Sequence, residues 1–212
     1  MADDAKSTIL SFWLISFALY VLTIFVAHPI SYILFGSALV VSLFSLFFFR
    51  DPVRNIPNIP DVLVSPADGK ILTVNEESNY PGSDEKCSHI AIFLNLHDVH
   101  VNRIPFDGKI STVEYKPGKF LKAFDPEANN LNEQYKIELQ TSRGKFVILQ
   151  IAGLIARRLV CRLIPGQDVS AGEKFGLMKF SSRIDLYFSC KFNIEIEIGQ
   201  KVRGGESILA RF

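Results

Sequence analysis

The stretch 7–49 lacks any Asp, Glu, Lys or Arg, and this absence divides the chain of 212 residues into two dissimilar parts. A membrane-spanning helix needs about 20 apolar residues, and two such runs, 8–27 and 30–49, fit within the uncharged stretch. Pro29 stands between them, and proline interrupts a helix because it removes a hydrogen-bond donor. We therefore predict a transmembrane helical hairpin, with a re-entrant hairpin in one leaflet as the alternative.

The start of the chain also lacks the pattern of a secretory signal peptide, because it is acidic at Asp3 and Asp4 and the apolar stretch is too long. The basic residues that flank the two runs are Lys6 on one side and Arg50 and Arg54 on the other. Positive flanks prefer the cytoplasm. We expect a protein of the cell membrane whose remaining domain faces the cytoplasm.

Net charge and paired cysteines are lacking as well. The formal net charge is +1, which gives no field for binding nucleic acid, so we predict no nucleic-acid partner. The three cysteines, Cys87, Cys161 and Cys190, are isolated and form no CxxC motif. This spacing argues against a disulfide framework or a zinc site, and it is typical of reduced thiols in a cytosol-facing domain.

What remains is one domain. Residues 1–50 form the predicted membrane-anchoring hairpin, and residues 51–212, which begin with a proline-rich linker at 51–60, form the predicted catalytic domain. Helix is expected only over 120–134. Short runs rich in β-forming residues lie between turn signals, and several alternate apolar with polar side chains. These runs are 70–74, 89–94, 109–115, 145–151, 184–188 and 192–198.

Two internal echoes indicate how the β domain is built. The sequence DGKIxTV at 68–74 recurs at 107–113, and the pattern GQxVxxGE at 166–173 recurs at 199–206. In each copy of the second pattern we expect a strand to end at glycine, the valine to turn inward, and Gly-Glu to begin the next turn. The fold class predicted is mainly β: a pseudo-symmetric barrel-like β sandwich with little helix.

Three segments carry candidate chemistry. Asp68 lies in a tight Asp-Gly turn, where aspartate often only caps the turn. His97 and His100 follow an apolar run, and no third ligand has a spacing suited to a metal, so we predict no metal site. Ser182 needs a base to become a nucleophile. Asp68, His100 and Ser182 therefore form an Asp/His/Ser set in chain order, which only geometry can establish as a triad.

Together these segments resemble the short bacterial and archaeal form of the phosphatidylserine decarboxylase family. The matching stretches are SPADGKI at 65–71, FLNLHDVHVNRIPFDGKI at 93–110 and KFGLMKFSSRIDLY at 174–187, with a weaker NEQ at 132–134. The resemblance covers 50–212, and the apolar N-terminus fits it too. Three motifs in the right order are a specific signal, whereas each one alone would be weak.

The resemblance implies a zymogen that cuts itself between residues 181 and 182. Ser182 would become a covalent pyruvoyl group, which is the only cofactor implied. The catalytic residues implied are Ser182, His100 as the base and Asp68 as the group that orients it. The products would be a large chain, 1–181, and a small chain, 182–212, that stay together as a heterodimer; a higher homo-oligomer remains open.

The reaction implied is decarboxylation of the membrane phospholipid phosphatidylserine to phosphatidylethanolamine through a pyruvoyl Schiff base, a step of phospholipid biosynthesis. Two positions depart from the family pattern. Ser181 stands where the family has glycine, which would slow the cut or change its geometry because serine resists conformations open to glycine. Asn102-Arg103 stands where longer members have a second histidine, so His100 would serve alone or with Arg103 as an electrostatic helper.

Two other functions fit parts of the sequence. The segment around Lys179, followed by the glycine-rich terminal pattern, resembles a biotinyl or lipoyl carrier module with Lys179 as the acceptor. That interpretation gives no role to Asp68 or His100. A membrane-tethered structural adaptor with a β-sandwich head is the second alternative, and it predicts an uncut chain.

Overall fold

The computed structural model describes residue 2 and residues 5–125, 127–154, 159–178, 182–189 and 191–212. The chain divides into two compact units, Met1–Pro52 and Val53–Phe212. The elements in chain order are α1 (Lys6–Phe25), α2 (Pro29–Phe48), β1 (Val62–Val64), β2 (Gly69–Asn79), β3 (Lys86–Leu94), β4 (Val101–Arg103), β5 (Gly108–Lys116), α3 (Ala128–Leu131), β6 (Gln134–Thr141), β7 (Gly144–Ala152), β8 (Leu159–Cys161), β9 (Asp168–Val169), β10 (Lys174–Met178), β11 (Ser182–Phe188), β12 (Asn193–Ile194), β13 (Lys201–Val202) and β14 (Ile208–Arg211).

The first unit is a pair of apolar helices. Each has 20 residues and a mean hydropathy of 2.1, so both are long and apolar enough to cross a membrane. Small polar groups join them: the hydroxyl groups of Ser16 and Ser42 lie 3.0 Å apart, and Ser42 also donates to the Phe12 carbonyl. Most large apolar side chains of the pair are exposed. Serine contacts inside and apolar groups outside are typical of helix pairs in a bilayer.

The break between the helices is where the sequence predicts it. His28 caps α2, because its side chain accepts a hydrogen bond from the amide of Ile30, and Pro29 occupies the first helical turn. Proline is well tolerated there, since the first amides of a helix have no partner within the helix.

The second unit consists of three antiparallel sheets. Eight strands form one sheet in the order β13-β2-β3-β11-β7-β6-β5-β9, and two smaller sheets have the orders β1-β14-β12 and β4-β10-β8. Along β11, Ile184, Leu186 and Phe188 enter the main core, while Tyr187 packs on the other face with a smaller cluster. This alternation is the period-two pattern of a strand. The predicted mainly β fold with little helix is confirmed.

Two local expectations differ from the structure. The predicted helix over 120–134 shrinks to α3, because the side chain of Asn132 bonds both the amide and the carbonyl of Leu121, at 2.8 and 2.9 Å, and so holds that segment extended. The run 192–198 contributes only the two-residue strand β12.

The glycines of the second echo show the expected internal symmetry. Their φ angles are positive and closely matched: Gly166 +88°, Gly172 +80°, Gly199 +92° and Gly205 +78°. Only glycine adopts this region without strain. Val169 and Val202, the valines of the two copies, are both buried, as the pattern predicts.

The first echo obeys the same symmetry. Val202 pairs with Gly69 in one half, and Val169 pairs with Gly108 in the other. Each half also has a strand irregularity at the same place, between Ile71 and Thr73 in one and between Ile110 and Thr112 in the other. The two copies of each echo therefore occupy equivalent positions in the two halves of the β unit.

The proline-rich linker is packed against this symmetric unit. Gly172 and Gly205, which are equivalent in the two halves, both face Ile56, and a Cβ atom on Gly205 would lie 3.0 Å from the Ile56 Cδ1 atom. The linker is thus part of the β unit from Val53 onward and occupies the position between its two halves.

Candidate active site

Ser182 lies where the chain passes from one sheet to another. It begins β11, the fourth strand of the eight-stranded sheet, and pairs with Leu94 of β3 and Ala152 of β7. Its position two residues before Ile184 places its side chain on the core face. The residue is fully buried, and its hydroxyl has no hydrogen-bond partner among the residues described. Buried hydroxyl groups are usually bonded, so this one is a candidate for a chemical role.

His100 lies at the start of the small central sheet and is fully buried. Its Nδ1 atom is 2.9 Å from the backbone carbonyl of Asp98. A carbonyl only accepts, so Nδ1 carries the proton and the basic nitrogen is Nε2. The His100 carbonyl accepts a hydrogen bond of 3.1 Å from the amide of Met178. Met178 lies four residues before Ser182.

Asp68 is held by three hydrogen bonds from two donor atoms. The Nη2 atom of Arg54 donates to both carboxylate oxygens, at 2.9 and 2.8 Å, and the amide of Gly204 donates to one of them, at 2.8 Å. The sequence analysis predicts that Asp68 orients His100. The structure gives His100 Nδ1 the Asp98 carbonyl as its orienting partner, and pairs the Asp68 carboxylate with Arg54.

Backbone contacts bring the three predicted segments into one region. The amide of Arg103 donates to the carbonyl of Pro66, at 2.8 Å, which joins the histidine segment to the aspartate turn. Gly69 is packed so closely on the carbonyl of Phe93 that no side chain would fit there. Phe93 precedes the strand partner of Ser182. The fold therefore gathers the segments, while the roles of the side chains stay predictions.

Arg103, the predicted helper, is 7 % exposed. Its Nη1 atom donates to the carbonyl of Gly172, at 2.9 Å, and its stem packs on Gly205. The guanidinium thus contacts both symmetric turns. A helper role toward His100 stays a prediction.

Two polar side chains near the site escaped the sequence analysis. Gln150 and Asn102 are both fully buried, and the Nε2 atom of Gln150 donates to Oδ1 of Asn102 at 2.8 Å. Gln150 is the strand partner of Ile184, two residues from Ser182, and Asn102 is two residues from His100. Two unremarkable amides 48 positions apart give no sequence signal. Arg54 was noticed only as a positive flank of the membrane hairpin.

Other predicted positions lie elsewhere or outside the described residues. Ser181 and Lys179 fall outside them, as does Cys190. Within the described part of the chain, no group of three or more His, Cys, Asp or Glu side chains could hold a metal ion. Cys87 and Cys161 form no disulfide with any described residue, and burial raises the pKa of Cys161.

The opposite face of β11 carries a separate polar cluster. Asp185 is fully buried, accepts two bonds from Arg183 and lies 3.0 Å from the Nε2 atom of His89. The His89 ring stacks on Tyr187, and burial raises the pKa of Tyr187 to about 12. Because side chains alternate along a strand, this cluster faces away from Ser182.

Comparison with known proteins adds an independent finding. A family model described as phosphatidylserine decarboxylase matches residues 41–210. A phosphatidylserine decarboxylase proenzyme of Prosthecochloris aestuarii is 42% identical over 174 residues, which cover 82% of this chain and 80% of that protein. One of Chlorobium chlorochromatii is 38% identical over 212 residues and the full length of both chains. One of Wolbachia pipientis is 43% identical over 191 residues, with 87% and 83% covered.

Proposed function

The chain belongs to the phosphatidylserine decarboxylase family of carboxy-lyases, and on that premise we propose that it decarboxylates phosphatidylserine to phosphatidylethanolamine after cutting itself at Ser182. The observation that carries the proposal is the Ser182 hydroxyl, buried and without a partner among the described residues at the passage between two sheets. A hydroxyl in that state is poised to react rather than to stabilise the fold.

His100 is the base of the self-cleavage. The Nδ1–H group of His100 donates a hydrogen bond to the Asp98 carbonyl, which leaves Nε2 unprotonated. Nε2 then takes the proton of the Ser182 hydroxyl. The Ser182 oxygen attacks the carbonyl carbon of Ser181, and the peptide nitrogen leaves it, so the amide becomes an ester. Loss of the Ser182 α-proton then breaks the Cβ–Oγ bond, which frees the carboxylate of chain 1–181. Hydrolysis at residue 182 releases ammonia and leaves the pyruvoyl group.

Asp68 supports the positive charge that His100 acquires. An imidazolium forms when the base takes its proton, and a nearby fixed carboxylate stabilises it. The hydrogen bonds from Arg54 and Gly204 hold the Asp68 carboxylate in one position.

The residues of the site fit a pyruvoyl group at position 182, because that position is fully buried and its strand neighbours are the apolar Leu94 and Ala152. When present, the group supplies an electron sink for decarboxylation of an amine-bearing substrate. His100 then holds the proton that replaces the lost carboxylate. Arg103 contributes positive charge from its place on the Gly172 carbonyl.

The membrane hairpin suits a substrate that resides in a bilayer. Tethering the enzyme to the membrane raises the effective concentration of the lipid at the site. The basic flanks favour a cytoplasmic catalytic unit. The large and small chains stay together as a heterodimer, because β11 of the small chain lies between β3 and β7 of the large one.

The first test is the mass of the purified full-length protein under denaturing conditions. We expect two pieces, 1–181 and 182–212, the smaller one lighter by one ammonia than a peptide that begins with serine. His100→Ala should leave the chain whole. His97→Ala is the matched control, since His97 is an exposed histidine of the same loop, and it should cut as the parent does.

The second test is release of carbon dioxide from phosphatidylserine vesicles. The cut protein should release it, and Ser182→Ala should not. Ser181→Gly should cut faster than the parent, because it restores the backbone freedom of the family pattern. A chain that stays whole in both the parent and Ser181→Gly would refute the proposed self-cleavage; an added biotin or lipoyl mass on Lys179 would identify a carrier module.

A further inference from the structure

The internal symmetry of the β unit sets Asp68 beside a structural twin, Asp107. Each begins one copy of the first echo, and each accepts a backbone amide from the equivalent turn: Gly204 donates to Asp68 at 2.8 Å, and Ala171 donates to Asp107 at 2.7 Å. These bonds are the ordinary capping role of aspartate at a turn. A further contact must therefore distinguish Asp68, the candidate for catalysis, from Asp107.

We infer that Arg54 is a positioning residue for the reaction, and that its contact is what adapts Asp68 for catalysis. The inference rests on the proposed function. Arg54 donates to both oxygens of the Asp68 carboxylate, whereas Asp107 forms no ion pair with any residue that the structure describes. Asp107 is exposed, while the side chain of Asp68 is only 15% exposed.

Burial explains why Asp68 needs the guanidinium. A carboxylate that loses water must be paired, or it takes up a proton instead. The Arg54 side chain is itself 7% exposed, so the pair is shielded from solvent and salt. Arginine suits this place because its flat fork of donors fixes both the distance and the orientation of a carboxylate.

A second contact fixes Arg54 from behind. Its Nη1 atom lies 3.3 Å from Glu206, and the other oxygen of Glu206 accepts the amide of Asn55 at 3.0 Å. The bond from the Asn55 amide lowers the pKa of Glu206, with Arg54 adding to the effect, so this carboxylate stays charged. Ile56 then fills the space between Gly172 and Gly205. The linker is thus anchored over three successive residues.

The site is therefore completed by a linker that belongs to neither symmetric half. Each half supplies a turn with an aspartate, and among the described residues the linker residue Arg54 forms an ion pair with only one of them, Asp68. Through Arg54, the segment that directly follows the membrane-hairpin unit fixes the carboxylate that supports His100.

The test compares Arg54→Ala with Arg143→Ala in the full-length protein. Arg143 is the matched control, because it also donates to both oxygens of an aspartate, Asp61, at 2.8 and 2.6 Å, and contacts none of the described residues of the site. Self-cleavage is followed by the loss of intact chain with time, and folding by thermal unfolding. Arg54→Ala should slow cleavage by about 100-fold, since displacing a catalytic group by an ångström can cost that much. Arg143→Ala should cut at the parental rate.

Three further measurements separate positioning from mere stability. Guanidinium ion added to Arg54→Ala should restore part of the cleavage rate, and Arg54→Lys should retain an intermediate rate because it keeps the charge and loses the fork. In an Asp68→Asn background, Arg54→Ala should slow cleavage by less than about threefold more, because the residue acts through Asp68. Asp107→Asn, the control for Asp68→Asn, should cut normally.

The outcomes are distinct. If the parent cuts and Arg54→Ala cuts at the rate of Arg143→Ala, the inference is overturned while the proposed function stands. Additive effects of Arg54→Ala and Asp68→Asn would also overturn it. A parent chain that never cuts removes the proposed function, and the inference with it.

Discussion

Replacing the buried amide pair at the site gives the sharpest stability test. Gln150 donates to Asn102 in a fully buried bond of 2.8 Å that joins the strand next to Ser182 to the segment of His100. We consider Gln150→Met, Asn102→Leu and the double variant. These replacements keep the side-chain volume nearly constant, so the loss of polar partners dominates the effect.

The expected magnitudes differ because the two amides have different partners. Gln150→Met leaves the buried Oδ1 atom of Asn102 without its Gln150 donor, whereas Asn102 Nδ2 has no partner among the described residues in the parent either. One newly stranded buried polar group costs about 1–3 kcal/mol, so this single change should cost about 2 kcal/mol. Asn102→Leu should cost about 1 kcal/mol, because Gln150 still lies 3.4 Å from the Val160 carbonyl. The double variant should cost less than Gln150→Met alone.

The assay is thermal unfolding of the full-length protein in detergent, followed by the far-ultraviolet circular dichroism of the β unit. About 1 kcal/mol moves the midpoint by roughly 2–4 °C in a domain of this size. The double-mutant cycle should give a coupling of about 1 kcal/mol or more. Additive single effects would show that the bond contributes nothing of its own, and would refute the reasoning. Self-cleavage should also slow in Gln150→Met, since the bond sets the His100 segment against the strand beside Ser182.

Three further predictions follow from burial and backbone geometry. The pKa of Tyr187 is about 12 in the folded protein and about 10 when unfolded, so between these pH values the folded state binds the phenolic proton more tightly than the unfolded state does. The free energy of unfolding should therefore be at its full value below pH 10 and fall by roughly 3 kcal/mol up to pH 12. Urea unfolding of Tyr187→Phe should not show this fall. Gly166→Ala should lower the free energy of unfolding by about 1–2 kcal/mol because of the positive φ alone. Gly172→Ala should lower it by about 1–3 kcal/mol more, because Ile56 occupies the space that the new methyl group would need. Equal unfolding midpoints for the two variants would contradict this. Ser182→Ala should stay whole and unfold no earlier than an uncut parent, because the Ser182 hydroxyl has no hydrogen bond to lose among the described residues.

The fold was predictable where the pattern repeats. The glycines at 166, 172, 199 and 205 share one backbone conformation, and the sequence shows them at equal spacing. Uncharged length alone located the two helices to within two residues. The short helix α3 was not predictable, because the extended conformation of the preceding segment depends on Asn132, whose side chain also bonds the Ala152 carbonyl, 20 residues away.

The segments that form the site were predictable from the sequence, whereas the hydrogen-bond partners of their side chains were not. Asp68, His100 and Ser182 stand in motifs, so the sequence could nominate them. The partner of each is set by tertiary contacts: Arg54 lies 14 residues before Asp68, and the His100 partner is a backbone carbonyl that has no sequence signature. The sequence echo already makes Asp107 the counterpart of Asp68, but only the structure shows that Asp68 has an ion pair and that Asp107 has none among the described residues.

The central place of β11 in the large sheet has a consequence for the life of the molecule. Residues 182–212 contribute β11, β12, β13 and β14. Strand β11 pairs with β3 and β7, β13 pairs with β2, and β14 pairs with β1 and with β12. A cut before Ser182 severs the chain while leaving those pairings intact, so the short peptide can depart only when the whole sheet opens. We expect isotope-labelled 182–212 peptide not to exchange into the native enzyme. Each molecule would then be activated once, and an inactivated copy would be replaced by synthesis of a new chain rather than by repair.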